Sequence, residues 1–341
     1  MSTTYEQVQD ELRATPRNWL ITGVAGFIGS HLLEKLLRLD QEVLGVDNFA
    51  SGHRKNLAEV QTAVMPAQWS RFQLIEGDIA DTELCQRACA RASIVLHQAA
   101  LGSVPASMTD PLAAHRSNVT GCLNVLMAAK QAGAARVVFA SSSAVYGDDQ
   151  QLPKVEAKIG NPLSPYAATK WMDEVYADVF ARAFGLQSIG LRYFNVFGPR
   201  QDPNGSYAAV IPKWISALLK HEPVYINGDG QTTRDFCHVE NVVQANLLAA
   251  TTSDLEAVNQ VYNVALGQRT TLNDLFYTLC EIIHGPEAAR EKPIYREFRA
   301  GDIAHSLADI SKARKHLRFE PTQRLDSGLK LSMDWYRRNI S

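Results

Sequence analysis

Tyr166 and Lys170 lie four residues apart in the stretch SPYAATK, residues 164–170, and a serine run, Ser141 to Ser143, ends an apolar segment upstream. Ser164 followed by Pro165 is a helix-start signal, with serine as N-cap and proline as the first helical residue. That start puts Tyr166 and Lys170 on one helical face, one turn apart, so both side chains can reach a single site. A free tyrosine titrates near about 10 and is a poor base at neutral pH. A neighbouring ammonium favours the phenolate form, and a phenolate can take the proton of a substrate hydroxyl.

Such a pair needs a rigid frame and a partner chemistry, and the stretch WLITGVAGFIGSHLLEKLL points to both. Gly23, Gly26 and Gly29 come directly after an apolar strand and open an amphipathic helix. Glycines there allow the turn, let backbone approach a pyrophosphate and permit close helix packing, while the helix N-terminus offers N–H groups to phosphate. The second strand, EVLGVD, ends in Asp47, eighteen residues after Gly29. A carboxylate there accepts hydrogen bonds from an adenosine ribose and repels a 2′-phosphate, which predicts NAD rather than NADP. Asp78 and Ile79 end a further strand candidate, where they can meet the adenine. The segment RVVFA runs into the serines, where ligand crevices open in sheets of this kind. A nicotinamide ring would bring Tyr166 a second cation and an acceptor for hydride, and Lys170 would also hold its ribose hydroxyls.

Short apolar runs (WLIT, EVLGV, FQLIEG, IVLHQA, RVVFAS, SIGLRYFN) alternate with longer amphipathic segments as far as about Phe194. This rhythm predicts an α/β fold, a Rossmann-type doubly wound parallel sheet with helices on both faces. Beyond it, loop-rich pieces such as GPRQDPNGSY and NGDGQTTRDF suit a smaller C-terminal substrate domain. QVYNVA at 260–265 reads as one more buried strand returning to the first sheet. The expected division is therefore discontinuous: 1–194 and about 236–266 for the cofactor, 195–235 and 267–341 for the substrate. At the start, Thr3 and Glu6 have capping-box spacing, and Tyr5, Val8 and Leu12 can line one face of a short helix that Pro16 ends.

A formal net charge of −2 removes the basic excess that nucleic acid or an anionic membrane would require. Cys85, Cys89, Cys122, Cys237 and Cys280 show neither CxxC pairs nor zinc-type spacing, so free buried thiols and no metal are expected. The N-terminal stretch has no basic segment followed by an apolar one, and no run is long enough to span a bilayer. Cytoplasm is the expected location.

The spacing GxxGxxG resembles the short-chain dehydrogenase/reductase superfamily, and its extended branch carries further marks found here. These are HQAA at 97–100, Asn118 in NVTG, SSSAVYG at 141–147, YxxxK at 166–170 and RYFNVFGPR at 192–200. The resemblance covers nearly the whole chain after about Asn18. It implies Ser142, Tyr166 and Lys170 as catalytic residues, with Ser142 bonding the reacting oxygen. For NAD it implies Gly23, Gly26, Phe27, Ile28, Gly29, Asp47, Asn48, Phe49, Ser51 and Gly52. Asp78, Ile79, Gln98, Ala99, Ala100, Ser117, Tyr193 and Val196 complete that set, beside Tyr166 and Lys170.

Related enzymes oxidise a nucleotide sugar at carbon 4 and then diverge. Nucleotide-sugar 4,6-dehydratases resemble TDEVYG, whose Asp and Glu move the protons that expel water; decarboxylases of UDP-glucuronate generally keep the Glu. Ser143 and Ala144 stand at those two positions here. The remaining simple chemistry is 4-epimerisation: oxidise carbon 4, turn the keto sugar about its pyrophosphate link, and return the hydride to the other face. A dehydrogenase releasing NADH is the chemical competitor, and an NAD-binding sensor without turnover a third class.

For a UDP-sugar the resemblance implies Gly102, Ser103, Ser142, Ser143 and Tyr166 around the hexose. Asn195, Gln201, Ala209, Val210, Tyr225, Asn227, Arg234, Arg299 and Asp302 would hold the nucleotide and pyrophosphate. QAALGSVPAS and GDIAHSLAD resemble epimerases of UDP-N-acetylglucosamine and UDP-N-acetylgalactosamine, or of their uronic acids. Where relatives restricted to non-acetylated sugars carry a tyrosine, this chain has Ser306, leaving room for an acetamido group. Ala304 and Ala106 depart from the pattern, each standing where relatives have a cationic residue. The family commonly forms homodimers through two helices per subunit, and Trp171, Val175, Val179 and Phe180 are available for such a surface, with core packing equally open from the pattern.

Overall fold

The apolar runs read as strands assemble into one parallel sheet. The computed structural model describes residues 4–203, 209–285, 288, 291–298 and 305–340. Strands β1 (Asn18–Thr22), β2 (Glu42–Asp47), β3 (Phe72–Glu76), β4 (Ile94–His97), β5 (Arg136–Ser142) and β6 (Ser188–Tyr193) join a seventh, Gln260–Val264. Their spatial order is Gln260–Val264, β6, β5, β4, β1, β2, β3, with every pair parallel. All C-terminal ends therefore share one edge, and a crevice opens between β1 and β4, where the order reverses. The expected return of the chain at QVYNVA is observed, its register pairing Tyr262 with Leu191.

Residues β4 and β6 contribute are buried throughout, which is why these strands read as unbroken apolar runs. Side chains alternate between two cores. Trp19 and Ile21 of β1 join one cluster with Leu32, Leu36, Val242 and Leu247, while Leu20 joins the other with Cys122, Val125, Val137 and Phe180. Helices Phe27–Arg38 and Val239–Thr251 cover the first face, and Thr82–Cys89 and Gly121–Ala132 the second. Phe180, one of the residues read as available for a partner surface, is in this core; Trp171, Val175 and Val179 are exposed. The difference is one of helical phase, because Phe180 falls on the sheet-facing side of its helix.

The N-terminal segment forms the helix Thr4–Ala14, with Leu12 buried and Tyr5 and Val8 against the first core; Thr3 lies outside the described residues. Gln41 fastens it: Nε2 donates to Leu12 O at 2.8 Å, and Oε1 accepts from Trp19 Nε1 at 3.1 Å. All five cysteines are buried and free. Among the described residues, no helix is long and apolar enough to cross a membrane.

A further core, built from Phe197, Trp214, Ile226, Phe276, Leu329 and Tyr336, is enclosed by the helices Val210–Leu219, Leu272–His284 and Leu325–Asn339. Two devices bind it to the sheet. Arg200 is buried between Glu34 and Glu59, and Trp335 Nε1 donates to Glu59 Oε2 at 2.7 Å. Asp235, fully buried, accepts N–H bonds from Leu266, Gly267 and Ala308 at 3.0–3.1 Å. One carboxylate thereby ties its own segment to residues 266–267 and to Ala308.

Candidate active site

The helix Pro165–Phe184 begins as its sequence signal requires: Ser164 Oγ accepts the Ala167 N–H at 3.1 Å, and Pro165 is the first helical residue. Gly185 ends it with φ of +69°, a left-handed conformation natural to glycine. The backbone of Tyr166 is held twice. Its N–H donates to Ser107 Oγ at 3.0 Å, and its carbonyl accepts from Thr169 Oγ1 at 2.8 Å. Lys170 is 2% exposed and donates from Nζ to Ala140 O and to Asp173 Oδ2, each at 3.0 Å. Burial pulls the Lys170 pKa down, but the Asp173 carboxylate and then Tyr166 outweigh it and hold the ammonium above its usual value.

Tyr166 and Lys170 line a cleft of about 710 Å³ at the C-terminal ends of β1, β2, β4 and β5. Gly23, Gly26, Phe27, Ile28 and Gly29 form one wall; Asp47, Asn48, Ser51, Gly52, Asp78 and Ile79 continue it. Gln98, Ala99, Ala100, Gly102, Ser103, Ser117 and Tyr193 line the same space. Phe49 contributes backbone instead. Its N–H donates to Asp47 Oδ1 at 2.8 Å, and its ring lies under the Arg54 guanidinium, 4.0 Å from the centroid. Asp47 Oδ2 accepts from Ala25 N–H at 2.8 Å, so this carboxylate also ties the glycine loop to β2. Each oxygen keeps a lone pair for a ribose hydroxyl.

Ser142 and Ser143 are not among the residues lining this cleft. Ser142 Oγ accepts the Ala144 N–H at 3.1 Å, capping the short turn Ser143–Tyr146, and its own O–H remains a donor. Ser141 lines the cleft in their place, its hydroxyl hydrogen-bonded to Glu174.

A second cavity, of about 360 Å³, is lined by Asn195, Val196, Gln201, Ala209, Val210, Tyr225, Asn227 and Arg234. Val196, expected on the cofactor side, is thus placed with the nucleotide-side residues. The Arg296 guanidinium stacks on Tyr225, 3.4 Å from the ring centroid. Gln201 Nε2 donates to Val196 O, while its buried Oε1 has no partner among the described residues. Ser306 lines neither cavity; its N–H donates to Thr233 O, one residue from Arg234. Arg299, Asp302 and Ala304 lie outside the described residues.

A family model described as the NAD dependent epimerase/dehydratase family matches residues 19–265. The chain belongs to that family. The UDP-glucose 4-epimerase of Thermotoga maritima, solved with UDP-glucose, is similar at 36% identity and TM-score 0.86, covering 95% of this chain and 100% of that one. The UDP-N-acetylglucosamine 4-epimerase of Methanobrevibacter ruminantium M1, solved with UDP-N-acetylmuramic acid, is similar at 37% and 0.87, covering 95% and 99%. The UDP-glucuronate 4-epimerase of Thermodesulfobacterium geofontis is 33% identical over 324 residues, 94% of this chain and 97% of its own.

The cofactor of this epimerase/dehydratase chain is NAD, and the cleft fits it. Gly26 caps the Phe27–Arg38 helix without a side chain, leaving the first-turn N–H groups to phosphate oxygens. A Cβ on Gly29 would lie 2.0 Å from Gly23 O, so the turn and helix close on each other only with glycine. Asp47 ends β2 and lines the same cleft, with the acceptor chemistry that an adenosine ribose would require.

Asn246 lies in none of the motifs, while His97 and Asn118 stand in HQAA and NVTG without an expected role; all three shape the site. Asn246, buried in the helix Val239–Thr251, donates to the Tyr193 hydroxyl at 2.9 Å and accepts from Gln98 Nε2 at 3.2 Å. It is one of three buried amides, with Asn241 and Gln244, in an almost wholly buried helix. His97 pairs Nδ1 with Thr22 Oγ1 at 2.7 Å; burial first, then the Lys170 charge, lower its pKa to about 3, so it stays neutral. Asn118, in the π-turn Arg116–Thr120, accepts from Leu101 N and donates to Thr169 Oγ1, bracing the turn that carries Tyr166.

Proposed function

We propose that this protein is a UDP-sugar 4-epimerase whose preferred pair is UDP-N-acetylglucosamine and UDP-N-acetylgalactosamine. The carrying observation is Tyr166 and Lys170 lining the cofactor cleft beside a turn whose residues 143 and 144 are Ser and Ala. Bound NAD supplies the hydride acceptor and donor. Tyr166 takes the proton of the carbon-4 hydroxyl and later returns it; by resemblance Ser142, whose O–H is still a donor at the turn following β5, bonds the same oxygen. Ser143 and Ala144 cannot carry the additional protons that dehydration requires, which leaves inversion at carbon 4. The second cavity holds the UDP group through Asn227, Tyr225 and Arg234, with Arg299 and Asp302 joining by resemblance. In this reading residues 1–194 and about 236–266 serve the cofactor, and 195–235 with 267–341 serve the sugar nucleotide.

The acetylated preference rests on the resemblance at Ser306, a small residue where relatives restricted to non-acetylated sugars carry tyrosine; its N–H is anchored on Thr233 O beside Arg234, and it lines neither cavity. Similarity to the Methanobrevibacter enzyme points the same way; the Thermotoga and Thermodesulfobacterium relatives favour UDP-glucose or UDP-glucuronate as a second reading. A panel of UDP-sugars decides between them. The acetylated pair should show a kcat/KM at least about tenfold above UDP-glucose and UDP-galactose, as steric discrimination of about 1–3 kcal/mol gives. Equal or faster turnover of UDP-galactose rejects the acetylated preference. A homodimer through the exposed Trp171, Val175 and Val179 and a reducing, cytoplasmic setting for the five free thiols belong to the same proposal.

A further inference from the structure

The YxxxK pattern asks only for a cation beside the tyrosine, yet Lys170 does not stand alone. Asp173, one turn further along the Pro165–Phe184 helix, is 0% exposed and its Oδ2 lies 3.0 Å from Lys170 Nζ. Nζ also donates to Ala140 O at 3.0 Å, which leaves one of its three N–H bonds for the cleft that Lys170 lines. Among the described residues no N–H or O–H donor reaches the buried Asp173 Oδ1, and the carboxylate's other hydrogen bond comes from the Cys122 thiol, a weak donor, of the Gly121–Ala132 helix. A buried carboxylate held by one ammonium and a weak thiol donor is costly and calls for a reason.

We propose that Asp173 is a positioning residue of this site: its carboxylate fixes Lys170 Nζ against the Ala140 carbonyl, keeps the ammonium charged away from water, and so sets the pH range in which Tyr166 acts as base. Other groups near the pair do not supply this charge. Glu174 on the same helix is taken by Arg192, at 2.7 and 2.9 Å, and by Ser141. His97 from β4 is neutral, Cys122 is a thiol whose pKa burial raises, and Tyr166 is the group being tuned. A buried lysine without a counter-ion tends to lose its proton, and Asp173 leads the effects that oppose burial here. The same anion subtracts from the positive field at Tyr166.

Removing the charge while keeping the shape therefore has a defined sign. In Asp173→Asn, Lys170 gives up its proton at lower pH. The alkaline limb of the pH dependence of kcat/KM, measured on whichever UDP-sugar the wild-type protein turns over best, should move acidward by roughly one unit or more. Asp173→Glu, which restores the charge, should return that limb to its wild-type position at reduced kcat. An alkaline limb unmoved in a folded Asp173→Asn protein would reduce Asp173 to packing.

A second measurement needs no active variant. In ¹⁵N-lysine-labelled wild-type protein, with the Lys170 signal assigned by its loss in Lys170→Met, Nζ should remain an ammonium to at least about pH 9.5. A neutral amine at pH 8 overturns the proposal. The inference rests on the epimerase reading for the role of Tyr166. Failure of that reading appears as absent turnover in the wild type, whereas the NMR signal decides Asp173 separately.

Discussion

Tyr166→Phe loses at least about 10³-fold in kcat/KM while the protein stays folded and keeps its cofactor. A positioned general base contributes about 10²–10⁴-fold, and in the proposed epimerisation the same group removes a proton and returns it within one turnover. Phenylalanine fills the same ring volume. The hydrogen bonds that hold the residue, to Ser107 and from Thr169, are made by its backbone and survive the change. Circular dichroism and the thermal midpoint should match wild type, with steady-state rates taken under the same conditions. A variant within tenfold of wild-type activity would remove Tyr166 from the role of base.

Gly23→Ala empties the cofactor cleft. Gly23 has φ of +72°, and a Cβ built there would fall 2.7 Å from Ala99 N and 2.8 Å from Ala99 Cα. Those atoms are backbone just beyond β4 and cannot swing aside as a flexible side chain would. Either the glycine turn or the Gln98–Ala99 segment must move, and both line the cleft. A non-glycine residue at this φ adds about 1 kcal/mol or more of backbone cost. The variant should purify with less than about a tenth of the wild-type NAD content, measured after denaturing release, with at least about a hundredfold lower turnover unless cofactor is added. Wild-type NAD content in the variant would show that the turn tolerates the methyl group.

Strands and cofactor cradle are legible in the sequence because their signals are local. Parallel strands buried on both faces read as apolar runs, and the glycine turn, Asp47 and the Ser164–Pro165 helix start each lie within a few residues of what they build. Even β3, half exposed at the sheet edge, keeps enough of its FQLIE pattern to be read. Side-chain assignments that depend on packing between distant segments are less accessible. Asn246 meets Gln98 across 148 residues. Phe180 is turned inward by helical phase, and Ser142 is engaged by the turn that follows it. Asp173 sits in plain view three residues after Lys170, but its burial depends on β5 and the Gly121–Ala132 helix closing over it. The arginine stacked on Tyr225 comes from a segment 71 residues further along, with no motif to announce it.

The proposed redox-neutral 4-epimerisation is tested most directly by incubating the purified protein, without added cofactor, with UDP-N-acetylglucosamine. Products are separated by chromatography while the absorbance of reduced nicotinamide is followed. A 4-epimerase forms UDP-N-acetylgalactosamine over many turnovers with no net accumulation of reduced nicotinamide. An oxidised sugar with stoichiometric NADH would make the protein a dehydrogenase, and NAD-loaded protein that leaves every UDP-sugar unchanged would contradict catalysis altogether.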